Sequence, residues 1–109
     1  MPKTRWKPRE ARKAILNLSF TELPKRGRGG HRMYFKDAVC RDGMIIIKTQ
    51  IPFGRKELHP DTRDEILNSL SIDLDTFTKA FRKQYTASDY EDYLLTLPRS
   101  KLLPRSLRL

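Results

Sequence analysis

A histidine at the end of a glycine-rich basic segment is the side chain in this sequence best suited to chemistry. His31 follows the run Lys25-Arg26-Gly27-Arg28-Gly29-Gly30 and precedes Arg32. An imidazole titrates near neutral pH, so it can take up or release a proton during a reaction in the cell. The cations around it would bind the oxygens of a phosphodiester, and Gly29 and Gly30 would let a sugar–phosphate backbone approach closely. The pattern meets the needs of a metal-free ribonuclease, although a surface histidine beside a basic RNA-binding loop gives the same pattern.

Four other side chains are candidates for a supporting role. Lys48 and Arg55 are candidate phosphate contacts, with ordinary solvated surface as the competing interpretation. His59 stands before Pro60, just ahead of a predicted helix, where packing or capping next to a turn is the favoured role. Glu57 either supports the region around His31 or caps the same helix.

The supply of metal-binding side chains is small. Two histidines and one cysteine, Cys40, are too few for a metal cluster, so we predict neither a metal nor another cofactor. A single cysteine also excludes an intrachain disulfide, which is usual in a reducing cytosol.

The charge of the chain points to a polyanionic partner. The 109 residues include 23 Lys and Arg against 13 Asp and Glu, a net charge of +10. Residues 1–36 hold 11 basic and two acidic side chains, residues 37–97 hold eight and 11, and residues 98–109 hold four and none. A compact chain with cationic ends attracts nucleic acid first. The sequence has neither an apolar run of about 20 residues for a membrane span nor a signal-peptide pattern, so we predict a cytoplasmic protein with no membrane contact.

Hydrophobic periodicity predicts the elements that must position these groups. Pro8 opens a helix whose apolar face is Ala11, Ala14, Ile15 and Leu18, ending around residues 17–19. Strands are predicted over residues 20–23, 31–35 and 44–49, with a turn over residues 37–43. Strict alternation places His31, Met33 and Phe35 on one face of the second strand, with Arg32 and Tyr34 opposite. Helices are expected from residue 61 or 62 with a capping box at 62–65, over 73–85 with Asp73 as the cap, and over 88–97.

This order of elements predicts an α+β fold. Its centre is a three-stranded antiparallel sheet with the helices packed on one face, as in the double-stranded-RNA-binding domain (dsRBD). We expect a loose basic arm over residues 1–7, the domain proper over residues 8–86, and an extra helix followed by a non-helical basic tail over residues 87–109.

Five blocks of sequence resemble one known family in order and nearly in spacing. They are Phe20-Thr21-Glu22-Leu23, Gly30-His31-Arg32-Met33-Tyr34, Ile51-Pro52-Phe53-Gly54-Arg55-Lys56-Glu57-Leu58, Thr62-Arg63 through Ile66-Leu67, and Asp75-Thr76-Phe77. These blocks span about two-thirds of the chain. They are similar to the HicA toxins, the mRNA interferases of HicA–HicB toxin–antitoxin pairs.

The resemblance implies a dsRBD-like fold, metal-independent cleavage of mRNA and a HicB-like antitoxin that covers the active surface. In the Gly-Ser-His motif of the family the histidine is catalytic, and it aligns with His31. Gly30 stands at the serine position. Many relatives carry a second histidine in the Ile-Pro segment, where Phe53 here runs directly into Gly54.

Two other functions compete with the ribonuclease. A non-catalytic RNA-binding module of the same fold is favoured slightly by Gly30 and by the added tail. A small basic DNA repressor is disfavoured because the helix predicted over residues 73–85 is not strongly cationic. The leading prediction is a toxin of a type II toxin–antitoxin system that cleaves mRNA, with His31 in catalysis and RNA bound by a basic set of residues: Lys25, Arg26, Arg28, Gly29, Gly30, Arg32, Lys48 and Arg55.

Overall fold

The chain folds into an α+β domain around a three-stranded antiparallel sheet. The computed structural model describes residues 2–24, 30–54 and 56–102. Its strands are β1 (Thr21–Glu22), β2 (His31–Cys40) and β3 (Gly43–Pro52), in the order β1-β2-β3. Its helices are α1 (Pro8–Asn17), α2 (Pro60–Leu70), α3 (Leu74–Phe81), α4 (Ala87–Leu94) and α5 (Arg99–Leu102). The predicted succession of helix, three strands and helices is confirmed, with α5 in addition.

One face of the sheet is buried and the other is largely exposed. The alternation predicted for the start of β2 is confirmed, with His31 on the exposed face and Tyr34 in the core. On β3 the odd-numbered residues from Ile45 to Ile51 are buried, and the residues between them are exposed. The helices cover the buried face, where Ser69 of α2 donates a hydrogen bond to the hydroxyl of Thr49 at 2.7 Å.

The hairpin of β2 and β3 is longer than predicted. β2 continues to Cys40, so the turn predicted over residues 37–43 is wrong, and a short connection joins Cys40 to Gly43. The prediction failed because Lys36 lies on the buried face, where its ammonium group pairs with the carboxylate of Glu91 on α4 at 3.0 Å. A lysine at an inward position hides the alternation that identifies the rest of the strand.

The N-terminal segment belongs to the core rather than forming a loose arm. Trp6 is only 1% exposed, and its ring lies 4.7 Å from that of Phe77 and 5.4 Å from that of Phe81. Its indole N–H donates to the carbonyl oxygen of Lys3 at 2.8 Å. Trp6 thus packs against the two aromatic side chains of α3. The apolar face predicted for α1 is fully buried, namely Ala11, Ala14, Ile15 and Leu18.

The beginnings of two helices differ from the prediction. α2 is capped by His59, not by the predicted box at residues 62–65, so the capping role expected of His59 is confirmed. α4 is capped by Thr86, which forms a capping box with Asp89, so the helix begins at Ala87, one residue ahead of its expected start at residue 88. In both cases a nearer side chain satisfies the first free backbone N–H groups.

The C-terminal part also departs from expectation. α3 ends at Phe81, although its cap at Asp73 is confirmed. α5 lies inside the segment predicted to be non-helical, and Leu102 joins the same core cluster as Tyr90 and Leu94 of α4. Residues 103–109 of the predicted tail lie outside the described residues. No helix in the described parts of the chain has the length and apolarity needed to cross a membrane.

Candidate functional site

His31 is the first residue of β2 and stands on the exposed face of the sheet. The residue before it is tied to the other strand, because the backbone N–H of Phe53 donates to the carbonyl oxygen of Gly30 at 2.6 Å. Directly opposite His31 on β3 is Pro52. The last pairs of the hairpin therefore fix the backbone on both sides of the imidazole while its ring remains open to solvent.

The imidazole of His31 opens into a groove of about 940 Å³ between the end of the hairpin and the N-terminal part of α2. This volume suits a ligand of the size of a nucleotide. The polar residues that line it come from β2, from β3, from the following loop and from α2: His31, Lys48, Thr49, Gln50, Glu57, His59, Thr62, Glu65 and Ser69. Gly30 also lines it. The structure thus brings together three of the predicted site residues, namely His31, Gly30 and Lys48.

Lys48 supplies positive charge to the groove but not at the position of His31. It lies across the ladder from Phe35, which is four residues from His31 on the same strand. At about 3.3 Å per residue the two Cα atoms are separated by roughly 13 Å along the strand. A phosphodiester bound at His31 therefore does not lie next to Lys48. The ammonium group of Lys48 is placed to contact a neighbouring phosphate of the same nucleic-acid strand.

Two residues whose roles the sequence left open also line the groove. Glu57 and His59 flank Leu58, which is buried and whose backbone N–H donates to the carbonyl oxygen of Trp6 at 2.8 Å. This anchor ties the segment after β3 to the N-terminal segment, and Glu57 and His59 on either side of it line the groove. The signal for this arrangement in the sequence is one apolar residue, Leu58, between two polar residues, Glu57 and His59.

His59 has a defined hydrogen-bond geometry. Its Nδ1 accepts the backbone N–H of Asp61 at 3.1 Å, so in the neutral ring the hydrogen is carried on Nε2. The side chain is 60% exposed. His59 therefore offers the groove a hydrogen-bond donor, while its other nitrogen is occupied in capping α2.

Arg32 is not brought to the site of His31. Its side chain projects from the opposite face of β2. There its guanidinium group lies 3.5 Å from the carboxylate of Glu22 and 4.8 Å from the centre of the Phe53 ring. Phe53 is the residue bonded to Gly30. Arg32 consequently supports the hairpin end from behind and is not a neighbour of the imidazole.

Glu22 is the centre of the cluster behind the site. It accepts hydrogen bonds from Nε of Arg12 at 2.9 Å and from the hydroxyl of Tyr34 at 2.7 Å. The bonds from Arg12, followed by that from Tyr34, lower the pKa of Glu22 to about 2. Burial, together with the bond to Glu22, raises the pKa of the Tyr34 hydroxyl. The cluster joins α1, β1 and β2 by charged hydrogen bonds.

Five of the predicted RNA-binding residues lie outside the described residues, namely Lys25, Arg26, Arg28, Gly29 and Arg55. Within residues 2–24, 30–54 and 56–102 no group of three or more His, Cys, Asp or Glu side chains is placed to hold a metal ion.

Comparisons with family models, with curated proteins and with solved structures give no match to this chain.

Proposed function

We propose that this protein is a metal-independent endoribonuclease of the HicA kind, with a dsRBD-like fold and with His31 as its catalytic residue. The observation that carries the proposal is the position of His31, an exposed imidazole held at the paired end of a hairpin and open to a groove of nucleotide size. The net charge of +10 and the Lys25-Arg26-Gly27-Arg28 sequence just ahead of the site favour an RNA chain as the occupant.

In the proposed reaction the 2′-oxygen of a ribose attacks the adjacent phosphorus. A P–O bond to that oxygen forms and the bond to the 5′-oxygen of the next nucleotide breaks, which leaves a 2′,3′-cyclic phosphate and a free 5′-hydroxyl. One proton leaves the 2′-hydroxyl and one joins the departing oxygen. His31 carries out one of these transfers, and water or a second side chain of the groove carries out the other.

Other residues of the groove contribute to binding. Lys48 neutralises a phosphate next to the reacting one, and Nε2 of His59 donates a hydrogen bond to the RNA. The glycine at position 30 leaves the backbone open to the sugar–phosphate chain. The resemblance to the HicA family further implies an antitoxin similar to HicB as the protein partner, which would abolish cleavage by covering this groove.

A non-catalytic RNA-binding module is the second candidate. The observation in its favour is Gly30, which leaves no hydroxyl where the HicA motif has its serine. Such a module would retain the groove and its positive charge and would bind RNA without cutting it.

Cleavage of a long unstructured RNA by the purified protein in the presence of EDTA tests the proposal. We expect products with cyclic phosphate and 5′-hydroxyl ends, and a rate about 100-fold or more lower for His31→Ala. Because His31 is exposed, the variant should keep the wild-type melting temperature. Lys48→Ala is the matched control, since it should weaken RNA binding and leave the rate at saturating RNA nearly unchanged.

Two results would contradict the ribonuclease. RNA that shifts in a gel at unchanged length indicates the binding module. Undiminished cleavage by a well-folded His31→Ala protein removes the catalytic role of His31.

A further inference from the structure

Four exposed cations follow one another on the N-terminal segment and the start of α1. They are Arg5, Lys7, Arg9 and Lys13, here called the basic ridge. Arg5 and Lys7 flank Trp6, which is buried, so the two cations are the residues that this extended segment presents to solvent. Arg9 and Lys13 are four residues apart, so they lie on one face of α1, about 6 Å from each other along its axis.

The backbone that carries the first two cations is held in place. The backbone N–H of Lys3 donates to the hydroxyl of Thr78 on α3 at 3.0 Å. The carbonyl oxygen of Thr4 accepts a hydrogen bond from the guanidinium of Arg63 on α2 at 2.9 Å. A ligand of the basic ridge therefore does not have to order the segment on binding, which removes one cost of association.

The basic ridge begins at the wall of the groove into which His31 opens. Leu58 lines that groove, and its backbone N–H donates to the carbonyl oxygen of Trp6 at 2.8 Å. Trp6 stands between the first two cations of the ridge. A strand that lies in the groove can therefore continue from Leu58 onto the ridge.

The groove itself supplies little net positive charge. Glu57 and Glu65 line it together with Lys48. A polyanion bound there needs cations from outside the groove, because phosphate contacts supply much of the affinity of nucleic-acid binding.

The charge of the basic ridge is not cancelled locally. Within residues 2–24, 30–54 and 56–102 no carboxylate forms an ion pair with any of its four side chains. Glu10 is the single acidic residue among residues 2–13, and its carboxylate lies 3.1 Å from the ammonium group of Lys3. Glu22, the next acidic residue in the chain, is bound by Arg12 at 2.9 Å.

The basic ridge offers charge without apolar surface. The large apolar side chains that are exposed in the described residues lie elsewhere, namely Leu23, Met33, Val39, Met44, Ile46 and Leu95. The apolar face of α1 is buried. A protein interface has an apolar centre, and a helix that lies on a membrane needs an apolar face for the lipid. Phosphates are bound by cations alone, so the surface fits a nucleic-acid backbone best.

We propose that the basic ridge binds the phosphates of the RNA strand where this strand leaves the groove of His31. That the strand is RNA rests on the proposed function. Arg5 and Lys7 contact the phosphates next to the groove, and Arg9 and Lys13 contact those further along α1. The preferred substrate is therefore an RNA that extends several nucleotides beyond the reacting phosphate.

Binding of an uncleavable RNA tests the ridge apart from catalysis. The probe is an unstructured 2′-O-methyl RNA of about 20 nucleotides, which has no 2′-hydroxyl to attack the phosphorus. The variant is Arg5→Gln/Arg9→Gln. The matched control, Arg41→Gln/Arg99→Gln, also removes two exposed arginines, at the opposite end of the hairpin from His31.

The dissociation constant is measured by fluorescence anisotropy over a range of salt concentrations. The dependence of log K on log salt should become shallower by about 1.4 in Arg5→Gln/Arg9→Gln, since each lost contact to a single strand removes about 0.7. The control has the same net charge and should keep the wild-type slope. Both variants should melt at the wild-type temperature, because all four arginines are exposed.

Four results would overturn the proposal. They are no RNA binding by the wild type, an unchanged slope in Arg5→Gln/Arg9→Gln, equal changes in the two double variants, and binding to phosphatidylserine vesicles that this variant loses while it still binds RNA as the wild type does. The cleavage assay is separate. If the slope changes as expected but unmodified RNA stays intact, the ridge stands and the ribonuclease does not. If cleavage depends on His31 but the slope is unchanged, the ribonuclease stands and the ridge does not.

Discussion

Replacing Glu22 by glutamine should remove a contribution to stability that is present at neutral pH and is lost in acid. The carboxylate accepts hydrogen bonds from Arg12 and Tyr34 and lies 3.5 Å from the guanidinium of Arg32. Glutamine has nearly the same shape, but its amide is neutral and has one acceptor oxygen. The variant therefore keeps the packing of β1 while it loses the charge.

The size of the effect follows from the pKa. A change from 4.5 in the unfolded chain to about 2 in the folded protein corresponds to about 3.4 kcal/mol at 1.36 kcal/mol per pH unit. The side chain is 24% exposed, so water screens part of this, and we expect about 1 to 2 kcal/mol. Because the folded pKa is the lower one, this stability is complete above about pH 5 and is lost as the pH falls towards 2.

Urea unfolding of the wild type and of Glu22→Gln between pH 2 and pH 7 measures this contribution. The difference in unfolding free energy should be largest at neutral pH and should vanish near the folded pKa of about 2. Glu65→Gln, a change at an exposed position of α2, serves as the control and should show almost no difference. A Glu22→Gln deficit that does not change with pH would refute the electrostatic explanation and leave a packing effect.

Three further predictions concern the core and the site. Trp6→Ala should lower the unfolding free energy by about 3 to 5 kcal/mol in urea titrations, since the ring is fully buried, and Trp6→Phe should lower it less. Lys36→Met should be neutral or stabilising by thermal melting, whereas Glu91→Ala should cost about 1 to 3 kcal/mol because it leaves a buried ammonium group unpaired. Gly30→Ser should keep the stability within about 0.5 kcal/mol, because the nearest atom that an added Cβ meets among the described residues beyond its chain neighbours, the backbone nitrogen of Gly54, lies 3.7 Å away, and should raise the rate of RNA cleavage in single-turnover assays. A stable Trp6→Ala protein, a destabilised Lys36→Met protein or a Gly30→Ser protein with lower activity would contradict these expectations.

The parts of the fold that could be predicted are those in which the pattern is local. The apolar face of α1 repeats within ten residues, and the alternation at the start of β2 requires only neighbours in sequence. The second half of β2 could not be recognised in this way. Lys36 is acceptable in the core because Glu91, 55 residues later in the chain, neutralises it. The burial of Trp6 likewise depends on Phe77, which a local pattern cannot reveal.

The candidate site likewise has features that a local pattern predicts and features that depend on residues distant in sequence. Its imidazole was identified from the types of the adjacent residues, and the alternation already placed Arg32 on the opposite face from His31. Proximity in sequence nevertheless suggested a common phosphate site for the two, and the structure separates them. His59 was predicted to pack or to cap next to a turn, but its place in the groove depends on the burial of Leu58. Residues brought together by a distant anchor leave little trace in the sequence around them.

The separation of Arg32 from His31 gives the two faces of the hairpin end different tasks. On one face the imidazole and Lys48 are exposed and available to a ligand. On the other, Arg32 is held between Glu22 and the ring of Phe53, whose backbone bonds to Gly30. In the proposed reaction such support is needed, since fraying of the terminal pair would move the imidazole of His31 away from the reacting phosphate. The cation next to the histidine in sequence thus contributes by fixing its backbone, and in the proposed function the charge that meets the RNA here comes from residues on the exposed face.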